Sequence, residues 1–130
     1  MMQAPVSAAE VVNGFLTAFY SADFVAAQSL VADDFAFRGP FLQVDSKQDF
    51  FDGAEGLRPI VRGHRVLRQW HDADEVCSMY EVQLESPATS GSILMSEWNT
   101  VRDGKLTAAR VIFDTSAFRA LVPVKGMGTD

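Results

Sequence analysis

The side chain in this sequence best placed by spacing to do acid–base chemistry is Glu97. It lies in the run Ile93-Leu94-Met95-Ser96-Glu97-Trp98-Asn99-Thr100-Val101. Successive strand residues face opposite sides, so the odd positions group Glu97 and Asn99 with Ile93, Met95 and Val101. If that face lines an apolar hollow, Glu97 and Asn99 are its polar islands. A desolvated carboxyl has a raised pKa. It can act as general acid or base, or stay protonated and donate a hydrogen bond to a developing oxyanion. Tyr80 is the second candidate. In the stretch 76–85 the even residues Val76, Ser78, Tyr80, Val82 and Leu84 are more apolar than the odd ones. They should face inward and bring the Tyr80 hydroxyl to the hollow, with Glu97 or Asn99 as partner. The competing reading is structural: an ion-paired or interface Glu and a core Tyr with a satisfied hydroxyl.

The remaining chemistry-bearing residues carry less. His64 and His71 are an odd number of positions apart, so on one continuous strand they face opposite sides. No third His accompanies them and there is one Cys, so no metal site is expected. Cys77 has no cation or helix start nearby in sequence to lower its pKa and reads as structural. Ser86, Ser90 and Ser92 lack the strand–turn–helix setting of a hydrolase nucleophile. Gly53, Gly56 and Gly63 do not form a phosphate loop, and no cofactor is expected.

The elements that position these residues follow from periodicity. Ser7-Ala8-Ala9-Glu10 has the form of a capping box, and Val12, Phe15, Leu16 and Phe19 continue it as an amphipathic helix over 8–20. A second helix is expected over 23–31, capped by Ser21 or Asp23. Phe35-Ala36-Phe37 reads as a strand stopped at Gly39-Pro40. Asp45 or Ser46 can cap a third helix over 47–58. Residues 64–71, 76–85, 92–102 and 105–114 read as four strands, the last two joined by a tight Asp103-Gly104 turn. Helices first and strands later argue for an α+β fold with a mostly antiparallel sheet.

With 130 residues, the chain is expected to be a single domain with a core over about 7–118 and a mobile tail over 123–130. Ten of its 14 aromatics are Phe, which suggests a large apolar interior. The net charge of −6 and the absence of a basic cluster argue against nucleic acid or an anionic membrane as partner. No apolar run is long enough to span a bilayer, and Met1 to Pro5 shows no signal-peptide pattern. A lone cysteine fits a reducing cytoplasm.

Turn geometry controls the site. A two-residue Asp103-Gly104 turn would set Glu97 opposite Arg110. A three-residue turn with Gly104 as a left-handed bulge slips the register by one. Glu97 then shares a face with Met95, Ala109, Val111 and Phe113, a nearly continuous apolar wall. We favour the bulged turn for that reason.

The element order resembles the nuclear-transport-factor-2-like superfamily, especially its SnoaL-like branch. The likeness rests on Ala32 to Pro40 after two helices, and on Glu97 to Leu106 followed by Arg110-Val111-Ile112-Phe113-Asp114. It implies a cone-shaped half-barrel, a curved sheet wrapped around three N-terminal helices and enclosing an apolar pocket. It also implies pocket positions at Phe15, Phe19, Phe37, Met95, Asn99, Val111 and Phe113. The superfamily's isomerase uses a carboxylate base just before the proline that follows the first strand. Here Gly39 stands there, preceded by Arg38. Its first-helix tyrosine matches Phe15, and its second oxyanion acid alone has a counterpart, Glu97. The epoxide hydrolases and cyclases use an Asp six residues after the Lys or Arg of the last turn. Six from Lys105 is Val111, and Asp114 reads instead as a cap or pairing residue at the strand end. Superfamily members commonly dimerise through the convex sheet face, here Leu94, Trp98 and Ile112. Three functions stay open: a pocket binding a small apolar or amphipathic molecule, an enzyme (isomerase, cyclase or hydrolase) using Glu97 as acid or base, and an interaction module whose cone is filled by its own Phe rings.

Overall fold

A computed structural model describes residues 7–122. The segment 123–130, expected as a mobile tail, lies outside the described residues.

Helix α1, Ala8–Tyr20, begins with the capping box: the Glu10 amide donates to Ser7 Oγ and the Ser7 amide to Glu10 Oε1, both at 3.1 Å. Its buried stripe is Val11, Val12, Phe15, Leu16 and Phe19. Ala22, at φ 66°, turns the chain out of the helix in the left-handed region. Asp23 caps α2, Phe24–Gln28, shorter than the expected 23–31 because the chain turns extended at Val31. Strand β1, Val31–Arg38, pairs with the short β2, Gln43–Val44, across the Gly39–Leu42 turn. Ser46 caps α3, Lys47–Ala54; the rest of the expected 47–58 helix tightens into a 3-10 turn at Glu55–Leu57.

The sheet is completed by β3 (Val61–Asp72), β4 (Glu75–Glu85), β5 (Ser90–Arg102) and β6 (Lys105–Phe113), in the order β2-β1-β6-β5-β4-β3. All pairs are antiparallel except β1 with β6. The sheet does not close, and its concave face packs on α1 and α3 through one core that includes Leu16, Phe35, Tyr80, Ile93 and Leu106. This is the expected α+β cone. A fourth helix, α4 (Thr115–Leu121), was not anticipated: Asp114 Oδ1 caps it, accepting from Ser116 and Ala117, so Asp114 is indeed a capping residue.

Two bulges set which side chains face the cone. The Asp103-Gly104 turn is a two-residue one, with both residues at positive φ (51° and 74°) and Arg102 paired with Lys105. The three-residue turn expected there is therefore incorrect, because both residues adopt the left-handed geometry that suits strand twist. The register slip occurs farther along. Val101 pairs with Leu106 but Thr100 with Ala108, so Thr107 is the extra residue. It reverses the phase of β6: Leu106 faces in before the bulge, Ala109 and Val111 after it. Glu97 thus pairs with Val111, not with Arg110.

A bulge at Leu67 overturns the histidine reading. His64 pairs with Val82 and His71 with Val76, both inward residues, so the two histidines share a face despite their odd spacing. They remain at different ends of β3, with His71 exposed. Among the described residues no group of three His, Cys, Asp or Glu side chains could hold a metal.

Candidate functional site

The cone encloses a cavity of about 400 Å³ opening between α3, the Gly39–Leu42 turn and α4. Eight of the ten Phe rings line it, with Tyr20, Met95 and Val111. The rings line the cone without filling it. Phe50 of α3 is the hub, with its ring centroid 4.8 Å from Phe37, 5.1 Å from Phe35, 5.7 Å from Phe19 and 6.4 Å from Phe15. Phe41, Phe113 and Phe118 form the rim, 4.8–6.1 Å apart, with the Arg119 guanidinium over the Phe41 ring.

Among the described residues Glu97 is the one charged residue on this wall, and it is 4% exposed. It sits there because β5 alternates strictly, burying Ile93, Met95, Glu97, Asn99 and Val101. Two donors converge on its carboxyl. Tyr80 donates its hydroxyl to Oε1, and Asn99 Nδ2 donates to Oε2 at 2.9 Å. The Tyr20 hydroxyl lies 3.1 Å from that of Tyr80. With Tyr80 donating to the carboxylate, Tyr20 must be the donor in that pair. The chain's only two tyrosines therefore form a relay, Tyr20 to Tyr80 to Glu97. His64, half-buried, packs its ring 5.7 Å from Tyr20 and 6.2 Å from Tyr80.

The electrostatics follow from burial. Desolvation raises the Glu97 pKa above the ordinary carboxylate value, opposed by the hydrogen bonds from Tyr80 and Asn99. Desolvation and the nearby Glu97 charge raise both tyrosines. Burial lowers His64. Among the described residues Asn99 Oδ1 has no hydrogen-bond partner, although it is buried.

Of the residues singled out from sequence, Phe15, Phe19, Phe37, Met95, Glu97, Val111 and Phe113 all line the cavity. Two need correction. Asn99 is fully buried behind the wall, and its amide donates to Glu97. Tyr80 is likewise fully buried off the cavity wall; its hydroxyl holds Glu97 and does not enter the hollow. Sequence reasoning missed Tyr20, which lines the cavity. Its signal was available: it lies one residue past the Phe19 stripe at the end of α1, and it is the one other phenol in the chain. Phe41 and Phe118 were also missed, because the rim is built by a turn and a seven-residue helix with weak periodicity. No oxygen or nitrogen comes from Val111, which faces the hollow opposite Glu97.

No protein-family model and no curated protein matches the chain. Solved structures do. An NTF2-like protein of unknown function from Cytophaga hutchinsonii superposes with a TM-score of 0.76 at 19% identity, covering 91% of this chain and 99% of that one. The chain has the NTF2-like fold. Two further solved structures share the architecture. A LEH-like epoxide hydrolase from M. tuberculosis aligns at TM-score 0.75 and 21% identity, over 88% of each chain. A SnoaL-like protein from Jannaschia aligns at 0.74 and 12%, over 94% and 96%. The superpositions establish the shared architecture, and function must be argued from this cone's own residues.

Proposed function

We propose that this chain binds a small apolar or amphipathic molecule in the cone, with Glu97 as its polar anchor. The observation that carries this is a lone acid on the wall of an open, Phe-lined cavity of about 400 Å³. That volume is in the range of small-molecule sites, and a filled cone would leave less. The test is a thermal-shift screen with small hydrophobic ligands. A ligand present at about 100 times its Kd should stabilise the protein by about 2.7 kcal/mol. No shift with any aromatic or terpenoid-sized probe would remove the proposal.

A second reading is enzymatic, because the tyrosine relay ends on a buried carboxyl with a raised pKa at the cavity wall. Glu97 would be the general acid or base, with Tyr80 and Asn99 as its positioning residues. The base and first-helix phenol of the isomerase pattern have no match at Gly39 and Phe15, and the hydrolase and cyclase acid has none at Val111. Turnover would therefore rest on Glu97, with Tyr20 the other ionisable group on the described cavity wall. It should vanish in a folded E97Q, whereas a pure binder shows no product with either protein.

We also propose a two-fold dimer through the convex sheet face in a reducing cytoplasm. Leu94, Trp98 and Ile112 stand half or more exposed there, joined by Trp70, which pairs across β4 with them. An exposed apolar face with two Trp side chains favours cover by a second copy. Sedimentation at micromolar concentration should give a dimer for the wild type and a monomer for Trp98→Glu. A monomeric wild type would exclude it. Among the described residues no helix is long and apolar enough to cross a membrane.

A further inference from the structure

We propose that the ligand of this cavity is an organic cation, an apolar body carrying an ammonium group that sits against Glu97 among the Phe rings. This rests on the pocket-binding reading above and names its chemical class.

Buried charges in proteins are paired. The ion pairs among the described residues all lie on other acids: Arg38 with Asp45, Lys47 with Asp33, Arg58 with Glu55, Arg62 with Glu85 and Arg65 with Glu81. Among the described residues no Lys or Arg lines the cavity, and Arg119 sits outside at the rim over Phe41. Glu97 therefore faces the hollow without a cation among the described residues. An anionic ligand would meet this acid with nothing to neutralise it.

The neighbours of Glu97 favour a carboxylate there. Tyr80 and Asn99 are both turned as donors, one to each oxygen. The Asn99 orientation leaves its own Oδ1 buried and unpartnered. Turning the amide over would satisfy Oδ1 only if Glu97 carried a proton on Oε2, and would strip Nδ2 of its acceptor. A donor group at each carboxyl oxygen is an arrangement that suits a negative Glu97. A neutral carbonyl ligand would need the opposite, a protonated Glu97 donating into the cavity.

The rest of the wall suits a cation as well. Ring faces attract ammonium groups through their quadrupole, and desolvation strengthens the attraction. Phe15, Phe19, Phe37, Phe50 and Tyr20 bring such rings to the cavity that holds Glu97.

The probes are benzyltrimethylammonium, a permanent cation, and neopentylbenzene, its uncharged isostere. Calorimetry on the full chain should show the cation binding at least about tenfold tighter. E97Q should remove most of that advantage, leaving only the part the rings supply. Because the probe does not titrate, the wild-type advantage should also decline as pH falls and Glu97 takes up a proton. The groups facing Glu97 are Tyr20 from α1, Tyr80 from β4 and, behind both phenols, His64 from β3; β6 presents only Val111. The pH response should persist in His64→Asn. Equal binding of the two probes, or a response that disappears with His64, overturns the cation assignment and leaves the pocket reading standing. Binding of neither probe overturns the cation assignment too, and counts against the pocket reading itself.

Discussion

Phe50→Ala should cost about 3–5 kcal/mol of folding stability, read as a shift in the denaturant midpoint. Phe50 is buried, and its ring meets Phe15, Phe19, Phe35, Phe37 and Phe51 with centroids 4.8–6.4 Å apart. Removing it joins a new void to the existing cavity, so the surrounding rings cannot collapse to fill it. For a domain of this size the loss is a large fraction of the total of about 5–15 kcal/mol. An apolar ligand that occupies the enlarged hollow should return part of it. Phe118→Ala at the half-buried rim should cost much less, since that ring keeps one side toward solvent. If the two variants lose the same amount, the ring cluster around Phe50 is not what holds α3 on the sheet.

E97Q should be more stable than wild type at neutral and higher pH, by about 1–3 kcal/mol. The substitution removes a desolvated carboxylate that has no cation. The new carboxamide can donate to Asn99 Oδ1 only once the Asn99 side chain turns over, which leaves Nδ2 without an acceptor instead, so the expected gain comes from removing the charge. Tyr80 still finds an oxygen to donate to. The pH dependence has a definite sign. Burial raises the folded-state pKa of Glu97, so the folded protein holds this proton more tightly than the unfolded chain. That contribution is complete below the ordinary carboxylate value and is lost as pH rises through the raised value. His64 acts in the opposite direction. Its folded pKa is lowered, so its contribution is present above the ordinary imidazole value and lost as pH falls through the lowered one. The difference between E97Q and wild type cancels His64 and isolates Glu97. Plotted against pH, that difference should grow through the window between the ordinary and raised carboxylate values, then level. A flat difference would mean that Glu97 is not desolvated in solution.

The two expectations separate scaffold from site. Phe50 supports the shape of the cone, whereas Glu97 costs stability in keeping an acid on its wall. Groups held at a stability cost are common where binding or catalysis needs them. The relay from Tyr20 through Tyr80 supports the same view, since it spends both phenols of the chain on one carboxyl.

Much of this was legible in the chain itself. The capping box at Ser7 and Glu10, the apolar stripe of α1, and the alternation that puts Val76, Tyr80 and Val82 on one face of β4 depend on neighbours within a few residues. Local hydrogen bonding and a fixed side-chain period decide such features wherever the segment sits. The inward face of β5 was not legible that way, since neither its odd nor its even residues are cleanly polar; the expected bulge gave Glu97 the right face but was placed in the turn and not at Thr107. What tertiary structure decided is phase and closure. The extra residue in β6 proved to be Thr107 and not part of the turn, and Leu67 put both histidines on one side of β3. A bulge arises where two twisting strands must stay paired around a curved sheet, and no residue pattern inside one strand announces it. The roles of Asn99 and Tyr80 were settled likewise. Alternation places them on the concave face, but only the packing of α1 against that face covers them and leaves Glu97 alone in contact with the hollow.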